Sequence, residues 1–531
     1  MRSVLTLGDD MMKSVRDLEK AAQDGLAWVK IQPEVQEAEV FVASNEHLLT
    51  RLNYTSAIPC NGMEEPKSVS SFGIGIRVAL QTGMGLKYGF GSAAGMLSME
   101  GIEQAFSKAQ QGAVLDPEFV SLPRPPARQA EYQRFHDPAL MKLGDEELVQ
   151  SGWMELNGAL EVFSGSKELV AGAGGLDKLS GLGIIVGGDV TVLRQRIAVA
   201  STNLPDVRTD ESTSLFSSVT AMVERNFGKG SGWSAHSHWK DFNGQSGAEA
   251  ARNAIRSMNG QRVPDGEYSV ILGPQPVADI FHNLILPALH ADTFFTSASP
   301  FQGKVGQQIA WEMLSVYDHG ALPRFAASKG ITCEGLPTGR TGLIRDGRLV
   351  GLLSNYYESQ RLLWDTKARQ KLGIDPNEQP ECLIPRNGFR FMDGVGRSFQ
   401  VRPYISATNV LIKSPEKGIS QPELLRRVGN GLYIGRIWYT YPINGLAAGD
   451  FTCTVVGDSY IIRDGKLSTP LKPNTVRIND NIHRLLNSLL GIGDPARGTN
   501  IWAASEVIYA PEMAVTGVPV KEIAEFMDGG D

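Results

Sequence analysis

The sequence predicts an α+β fold, with a mixed N-terminal domain of helices and antiparallel strands and a β-rich C-terminal domain. Two patterns support this prediction. In the first half, helical stretches and alternating apolar runs follow one another without the regular strand–helix–strand repeat of a parallel sheet. In the second half, short apolar runs separated by turn residues predominate. With 531 residues the chain also exceeds the size of one compact core, so we expect at least two domains.

The N-terminal elements are predicted from the spacing of apolar residues. Met11–Val29 places them on one face of a helix, and Val35–Ser44 alternates weakly, as a strand does. Ser71–Phe90 is punctuated by glycines and predicts a hairpin that turns near Gly83. Ser98–Gly112 again shows helical spacing. This order of elements favours an antiparallel sheet with helices packed against it.

The predicted domain boundary follows from a change in composition. A proline-rich connector at Ser121–Gln129 precedes a predicted helix at Asp145–Phe163 and further strands. The composition of Phe227–Trp239 then shifts to Gly, Ser and His, which is typical of a linker. We therefore predict an N-terminal domain at 1–226 and a C-terminal domain at 227–531.

The C-terminal domain is predicted to contain few helices. After a helix at Ser246–Met258, a strand at Tyr268–Leu272 leads into a second helix that begins near Pro274. Beyond it, Asp-Gly pairs at Asp346–Gly347 and Asp464–Gly465 stand between apolar runs and predict hairpins. The rest of the domain is therefore expected to be built mainly of strands.

Composition and charge exclude several classes of protein. With 42% hydrophobic and 21% charged residues, the chain is expected to fold, and its net charge of −7 argues against broad phosphate binding by a nucleic-acid binder. It contains no apolar run of about 18 residues, and its N-terminus lacks the features of a signal peptide. The four cysteines form no CxxC pair, which is typical of a reducing compartment. They are Cys60, Cys333, Cys382 and Cys453. We therefore expect a cytoplasmic protein without a membrane segment.

Two short motifs are compatible with ligand binding but favour a structural role. Gly89, Gly91 and Ala94 match the GxGxxA pattern of dinucleotide sites, yet the preceding strands form a predicted hairpin and not a βαβ unit. We interpret the motif as a glycine turn that leads into a helix. His236 and His238 could bind one metal from alternate positions of a strand, but no nearby Cys or acid completes a ligand set. A solvated linker is the favoured interpretation for these histidines.

The third candidate site is the predicted helix that contains His282 and His290. A zinc site on a helix places two histidines about one turn apart, with a glutamate beside them as the base. Here the two histidines are eight residues apart, about 12 Å along an unbroken helix. Pro287 is expected to kink the helix between them, and Asn283 follows the first histidine although an amide cannot act as a general base. We predict a packing helix that holds no metal.

Two cysteines are candidates for chemistry. Cys453 lies in an alternating strand on the same face as Phe451 and Val455, which predicts a buried and unreactive thiol. Cys333, next to Glu334, is predicted to be the more exposed of the two and is therefore the candidate nucleophile.

Several segments, in order along the chain, resemble the TldD/PmbA family, whose members are named historically as modulators of DNA gyrase and are related to a cytosolic zinc peptidase. The resemblance extends from about residue 35 to 515. The matching segments are AEVFVASNEHLLTRLNYTSA, GIGIRVALQTGMGLKYGF, VILGPQPVADIFHN, FQGKVGQQIA, CEGLPTGRTGLIRDGRLVGLLSNYYESQRL, GDFTCTVVGDSYIIRDGKLSTPL and LLNSLLGIGD. The family implies a mixed N-terminal domain and a β-rich C-terminal domain, assembled as a dimer.

The resemblance also implies where a zinc motif would lie. TldD-type members carry His-Glu, three further residues and His on the helix before a GKVGQ-like segment, together with a cysteine ligand late in the chain. In this sequence His282 falls at the first histidine, Asn283 at the glutamate and Pro287 at the second histidine. The late cysteine would fall near IWYTYPINGL, which contains none. The departure resembles the PmbA (TldE) branch, which lacks the motif and acts as the partner of a TldD-type protease.

Three functional hypotheses follow. The first is a non-zinc, TldE/PmbA-like subunit of a peptide-processing complex, which pairs with a TldD-like subunit or with itself and leaves zinc to the partner. The second is a divergent peptidase or peptide-modifying enzyme that is active by itself through His282, Asp292, Cys333 and Glu334. Whether the chain is an enzyme stays open between them. The third, a nucleic-acid or gyrase regulator, rests on the family name alone, and the acidic charge balance argues against it.

Overall fold

The structure is a computed structural model that describes residues 12–58, 62–83, 85–125, 133–415 and 417–523. Met11, Cys60 and the end of the predicted connector, 126–129, lie outside the described residues. Helices and antiparallel strands alternate in the N-terminal part, and strands predominate in the C-terminal part, so the predicted α+β fold is confirmed. Among the described residues, no helix is both long enough and apolar enough to span a membrane.

The N-terminal part is built on one antiparallel sheet. Within the described residues its strands run in the order β5-β4-β3-β1-β6-β7-β8, and β2 pairs with β1. The strands are β1 Val35–Thr55, β2 Gly62–Met63, β3 Lys67–Thr82, β4 Gly85–Ala94, β5 Val114–Leu115, β6 Ile184–Ser201, β7 Arg208–Val223 and β8 Gly228–His236. The helices of this part are α1 Val15–Val29, α2 Met99–Gln111, α3 Pro138–Met141, α4 Asp145–Gly165, α5 Lys167–Ala173 and α6 Gln245–Arg256.

The helices α1, α2, α4 and α6 pack against this sheet. Alternation along β1 explains how the sheet can be covered on both faces, because successive side chains of a strand point to opposite sides. Val40 and Val42 pack with α1 and α2, whereas Phe41 and Ala43 point the other way. Both sets are fully buried, so the second face of the sheet must also be covered.

The Gly/Ser-rich segment after residue 226 is a strand of this sheet, and its interpretation as a linker is wrong. β8 pairs with β7 as a hairpin, so the sheet extends beyond the boundary predicted at 226. Glycines recur in β8 because α6 lies against it: a Cβ atom built on Gly230 would be 2.2 Å from the backbone nitrogen of Ala254. A composition that is typical of a linker therefore reflects the close approach of a helix.

The GxGxxA motif has the same explanation. Gly89 and Gly91 lie in β4, which pairs antiparallel with β3, so the parallel unit of a dinucleotide site is not formed here. A Cβ atom on Gly89 would be 2.1 Å from the carbonyl oxygen of Ala109, and one on Gly91 would be 2.2 Å from that of Ala105. The structural interpretation is correct, although the glycines serve strand–helix packing and not a turn.

The C-terminal part contains two larger sheets and two short strand pairs. In the described residues the larger sheets run β12-β11-β10-β17-β26-β25 and β19-β20-β23-β27-β9-β18-β21-β22, with β24 paired to β27. The strands are β9 Gly266–Leu272, β10 Ser315–His319, β11 Arg340–Arg345, β12 Arg348–Leu349, β13 Gly388–Phe389, β14 Phe391–Met392, β15 Gly396–Arg397, β16 Tyr404–Ile405, β17 Asn409–Lys413, β18 Gly431–Ile434, β19 Arg436–Pro442, β20 Asp450–Gly457, β21 Tyr460–Arg463, β22 Lys466–Pro470, β23 Val476–Asn481, β24 Leu489–Ile492, β25 Arg497–Thr499, β26 Val507–Ala510 and β27 Met513–Glu522.

The helices of this part are short. They are α7 Pro274–Ile280, α8 Leu286–Ala288, α9 Ala291–Phe295, α10 Tyr356–Trp364, α11 Ala368–Leu372, α12 Gln421–Val428 and α13 Ile482–Asn487. Residues of both large sheets and of α7–α9 share one hydrophobic core. Both Asp-Gly turns are formed as predicted, between β11 and β12 and between β21 and β22.

The C-terminal part covers the second face of the N-terminal sheet. Phe41 and Ile197 of that sheet share a buried cluster with Phe389, Phe391 and Phe399. The same interface buries ion pairs of Glu39 with Arg77 and Arg390. The N-terminal and C-terminal parts of the chain therefore share a buried interface.

Candidate functional site

The helix that contains His282 is continuous past the position predicted to kink it. Between α7 and α8, residues Phe281–Ile285 form a π-helical turn, in which the N–H of Leu286 donates to the carbonyl oxygen of Phe281. Pro287 has no N–H to donate and its ring crowds the carbonyl one turn earlier, so the widened turn accommodates the proline without a break. A π turn therefore precedes Pro287, and the helix ends one residue after it, at Ala288.

His282 forms an ion pair with Glu506, which stands directly before β26. The Nδ1 atom of His282 contacts the Oε1 atom of Glu506, and the glutamate side chain is only 9% exposed. Burial lowers the pKa of His282, but the hydrogen bond and charge of Glu506 outweigh it and raise this pKa. Burial raises the pKa of Glu506, but His282 outweighs it in turn and lowers that pKa. Both shifts favour the charged pair.

The side chain of Asn283 donates a hydrogen bond to the carboxylate of Asp279 and cannot act as a general base. Its Nδ2 atom donates to the backbone oxygen of Asp279 at 3.0 Å and to the Oδ1 atom of Asp279 at 3.1 Å. Gln275 donates to the Oδ2 atom of the same carboxylate at 3.2 Å. Burial raises the pKa of Asp279 despite these hydrogen bonds. The amide at 283 therefore serves to hold the side chain of a residue one helical turn earlier.

His290 lies outside the helix but reaches the same cavity as His282. It precedes α9 in an extended conformation, with φ −80 and ψ 143. The cavity has a volume of about 190 Å³ and is lined by His282, His290, Pro287 and Glu506, among others. Burial lowers the pKa of His290, and the charges of Asp292 and Glu506 oppose this effect only in part. The structure thus brings both histidines to one cavity, although their separation along a straight helix argued against it.

Asp292, which the second hypothesis groups with His282, lies near the cavity of His282 but lines a different cavity. Its Oδ1 atom is 3.8 Å from the Nδ1 atom of His290. It also lines a separate cavity of about 430 Å³ together with Glu358 and Tyr357. Burial raises the pKa of Glu358 to about 7. Asp292 is therefore close to His290 without being part of the His282–Glu506 pair.

Cys333 and Glu334 are not where the second hypothesis needs them, and the predicted exposure of Cys333 is wrong. Cys333 is completely buried among Phe41 and the other apolar residues between the two parts of the chain. Burial raises the pKa of its thiol to about 11, so it is neutral at physiological pH. Glu334 accepts a hydrogen bond from the backbone N–H of Tyr356 at 3.0 Å and lies 3.7 Å from Arg77. Both side chains are used in the interface.

The other cysteine and histidine predictions have mixed outcomes. Cys453 is 1% exposed and packs in one core with Phe451 and Val455, which confirms the predicted buried face. His236 ends the strand β8, so the interpretation of His236 and His238 as residues of a solvated linker is wrong. The Nδ1 atom of His238 shares a hydrogen bond with the hydroxyl of Ser237 at 2.9 Å.

The side chains at the helix do not fit a zinc site. Zinc needs neutral imidazoles, thiolates or carboxylates as ligands, usually three or four from the protein. Position 283 holds an amide, position 287 a proline, and Glu506 raises the pKa of His282, which favours the protonated imidazole. No group of three or more His, Cys, Asp or Glu side chains in the described ranges is arranged to hold a metal ion. The segment resembling the late-cysteine region forms β19, where Tyr439 and Tyr441 are exposed.

Glu506 is not among the site residues predicted from the sequence. It is separated from His282 by 224 residues, and the two meet only because β26 is paired in parallel with β17 and lies beside α7. A single acid before a short apolar run is common in sequences, so this residue gave no usable signal. Its role is visible only once the sheet is assembled.

Comparisons with known proteins relate the C-terminal part of the chain to a known family. Residues 265–522 match the model of the PmbA/TldA metallopeptidase C-terminal domain. Over this region the chain is similar to the TldD/PmbA family. A metalloprotease of Methanothermobacter thermautotrophicus is 22% identical to this chain over 251 residues, which are 47% of this chain and 48% of the relative. The chain thus spans about half the length of the curated relatives it matches.

Two solved structures share the fold of almost the whole chain. TldE from Thermococcus kodakarensis superposes with a TM-score of 0.72 at 17% identity and covers 95% of this chain and 100% of that one. A proposed modulator of DNA gyrase from Bacteroides thetaiotaomicron superposes with a TM-score of 0.70 at 17% identity, over 95% and 98% of the two chains. At this identity the likeness establishes the fold.

The pair of His282 and Glu506 predicts a specific dependence of stability on pH. Because the pKa of His282 is raised, its stabilising contribution is fully present below its ordinary pKa of 6.5 and is lost as the pH rises through the raised value. The pKa of Glu506 is lowered, so its contribution is present above its ordinary value of 4.5 and is lost as the pH falls through the lowered value. We expect His282→Gln to lower the urea midpoint of unfolding most between pH 4.5 and pH 6.5, the ordinary pKa values of the two groups. At higher pH the effect should be smaller.

The matched control is His483→Gln. His483 packs edge-on against Phe301, with ring centroids 5.1 Å apart, and burial lowers its pKa. Its contribution to stability should therefore increase as the pH rises, the opposite of His282. Urea midpoints of the two variants and the parent over a pH series test this, and a destabilisation by His282→Gln that grows toward high pH would contradict the ion pair.

Proposed function

We propose that this chain is a TldE/PmbA-like, non-zinc subunit of a cytosolic, TldD/PmbA-type peptide-processing complex. The observation that carries this proposal is the use made of the three zinc-motif positions. His282 is paired with Glu506, Asn283 holds Asp279, and Pro287 carries no ligand atom. In this role the cavity beside α7 receives part of a peptide, and zinc is held by a TldD-like partner or is missing from a complex of this chain with itself.

The electrostatics of His282 support this role. A metal ligand must offer a lone pair, and a protonated imidazole has none. Glu506 is buried and takes its hydrogen bond from His282, so loss of the proton from His282 leaves a buried carboxylate beside a neutral ring. Zinc binding through the Nε2 atom of His282 would have to displace a proton that Glu506 favours, and no histidine or glutamate at 287 or 283 adds a second ligand or a base.

A second candidate function is a peptidase or peptide-modifying enzyme that is active by itself without the standard zinc set. The observation that favours it is the cavity in which His282, His290 and Glu506 meet. A histidine oriented by a carboxylate can exchange protons with a bound ligand, and a curated relative is named a metalloprotease. Cys333 and Glu334 are not part of this version of the hypothesis because they line the interior interface.

Metal content and native mass, measured on the same preparations, separate the two functions. The chain is purified alone and after co-expression with a TldD-type subunit, and zinc and peptide cleavage are measured for each. We expect much less than one zinc per chain and no cleavage for the chain alone. We expect a complex containing both subunits, and zinc and cleavage only in that complex.

The control variant is His282→Ala. In the chain alone it should leave the low zinc content unchanged. Stoichiometric zinc that is lost in this variant would overturn the non-zinc role. Cleavage by the chain alone that His282→Ala abolishes would instead support the second candidate, and cleavage that the variant retains would exclude His282 from it.

A further inference from the structure

A second cavity, which the proposed function does not use, lies next to the one that contains His282. It has a volume of about 160 Å³, and the two cavities share Asp393 and the segment 503–505 as lining. Lys329 also lines it, together with polar side chains from the N-terminal sheet and from the segment before β26. These polar residues include Gln195, Ser214, Asn500 and Ser505. A buried lysine beside a partly open cavity of mixed polarity calls for a chemical explanation.

Lys329 is buried, and no described residue is its ionic partner. Lys329 is only 2% exposed. Its Nζ atom donates to the backbone oxygens of Ala327 and Ser328, each at 3.3 Å. Among the described residues it makes no ion pair with a carboxylate. Buried lysines are normally paired, because an isolated ammonium group is costly to remove from water. The usual structural explanation for a buried lysine is therefore missing.

The nearest candidate partner is already engaged. The Oδ2 atom of Asp210 accepts a hydrogen bond from Arg397 at 2.5 Å, and its Oδ1 atom accepts one from the backbone N–H of Gly330 at 3.3 Å. Burial, and next the positive charge of Arg397, lower the pKa of Lys329 to about 7, while Asp210 opposes them only in part. The amine is thus neutral in a large fraction of molecules near neutral pH.

A neutral amine has two N–H bonds and one lone pair. Ala327 and Ser328 provide two carbonyl acceptors for the two N–H bonds, which leaves the lone pair for a group in the cavity. A lone pair on a desolvated lysine is nucleophilic toward carbonyl carbon. An aldehyde or ketone would find hydrogen-bond donors for its oxygen in the amide and hydroxyl groups that line the cavity. Here an amine, a cavity and donors are assembled together.

We propose that Lys329 is a reactive amine that binds an aldehyde or ketone in this cavity as a reversible imine. The Nζ atom attacks the carbonyl carbon, a C–N bond forms, and the resulting carbinolamine loses water to give the C=N bond. The amine loses both its hydrogens to the departing water, whose oxygen is that of the carbonyl. The step involves no oxidation or reduction, and it does not depend on the zinc-free role proposed above.

The proposal is tested by trapping the imine with a small aldehyde. The purified chain is treated with a limiting amount of glyoxylate and cyanoborohydride near neutral pH, and labelling of each lysine is read by peptide mass spectrometry. We expect Lys329 to be labelled at least about tenfold faster than Lys371, whose Nζ atom forms an ion pair with the carboxylate of Asp365 at 2.6 Å. We also expect labelling of Lys329 to level off slightly above neutral pH.

Controls distinguish a reactive amine from one that is only structural. The exposed Lys30 is the reference for general reactivity, and its labelling is followed over the same pH series. Lys329→Met should remove the fast label without changing the labelling of other lysines, and circular dichroism checks that this variant is folded. Slow labelling of Lys329 at every pH, or a rate that follows Lys30, would overturn the proposal and leave Lys329 a structural lysine that only holds its own turn.

Discussion

Replacing Glu39 by glutamine is expected to lower the free energy of unfolding by about 3–5 kcal/mol. Glu39 is fully buried where the N-terminal sheet meets the C-terminal part, and two arginines converge on its carboxylate. The Nε atom of Arg77 donates to its Oε1 atom at 2.8 Å, and the Nη2 atom of Arg390 donates to the same oxygen at 2.6 Å. Arg77 also contacts the Oε2 atom.

The size of this effect comes from the charge that is left behind. Arg77 is 4% exposed and Arg390 is not exposed at all, so neither guanidinium can recover its lost partner from water. Glu334 lies 3.7 Å from Arg77, but burial raises the pKa of Glu334 and weakens it as a replacement. The glutamine would keep the shape of the side chain and remove its charge, so the loss is electrostatic and not a packing defect.

Chemical denaturation followed by circular dichroism measures this change. The matched control is Asp189→Asn, which breaks an ion pair with Arg51 whose two side chains are 46% and 35% exposed. That variant should lose only about 0–1 kcal/mol, because water replaces the partner. Equal losses in the two variants would show that the interface around Glu39 is hydrated.

The second large effect is expected for Gly230→Ala, which should destabilise the N-terminal part by about 1–3 kcal/mol. The added Cβ atom would be 2.2 Å from the backbone nitrogen of Ala254 and 2.3 Å from the backbone oxygen of Ala250, both in α6. Backbone atoms of a helix cannot move aside as the end of a flexible side chain can. We therefore expect α6 to separate from β8, with faster hydrogen exchange in both elements.

The control for this variant is Gly172→Ala in α5, where no heavy atom lies within 4 Å of the added Cβ atom. Alanine has the higher helix propensity, so this change should be neutral or stabilising by up to about 1 kcal/mol. Melting temperatures and hydrogen exchange of the two variants test the pair of predictions. A Gly230→Ala protein as stable as the parent, with unchanged exchange in α6, would show that the helix does not pack as closely as described.

Elements with strong local patterns were predictable from the sequence. The face of Phe451, Cys453 and Val455 follows directly from alternation along a strand. The turns at Asp346–Gly347 and Asp464–Gly465 follow from the residues that such turns require, and Asp346 and Asp464 indeed have positive φ angles of 50 and 49. These features depend on neighbours within a few positions, which a single sequence displays.

The Gly/Ser-rich segment after residue 226 was misinterpreted because its composition has two possible causes. A flexible linker and a strand under a closely packed helix both favour small residues, and only the position of α6 distinguishes them. The exposure of Cys333 was misjudged for a similar reason. Its neighbours in sequence are polar and glycine residues, but the N-terminal sheet covers it. Neither partner is near in sequence.

For the candidate site, the sequence by itself determined which side chains are missing: a carboxylate at 283 and an imidazole at 287 cannot be supplied by asparagine and proline. Only the tertiary structure decided what the remaining groups do, because Glu506, 224 residues from His282, takes up that histidine in an ion pair. It also decided that Lys329 is buried beside a cavity, with no carboxylate paired to it in the part of the chain that the structure describes. Residue identity fixes chemical capacity locally, whereas pairing, burial and charge depend on contacts between segments that are distant in the chain.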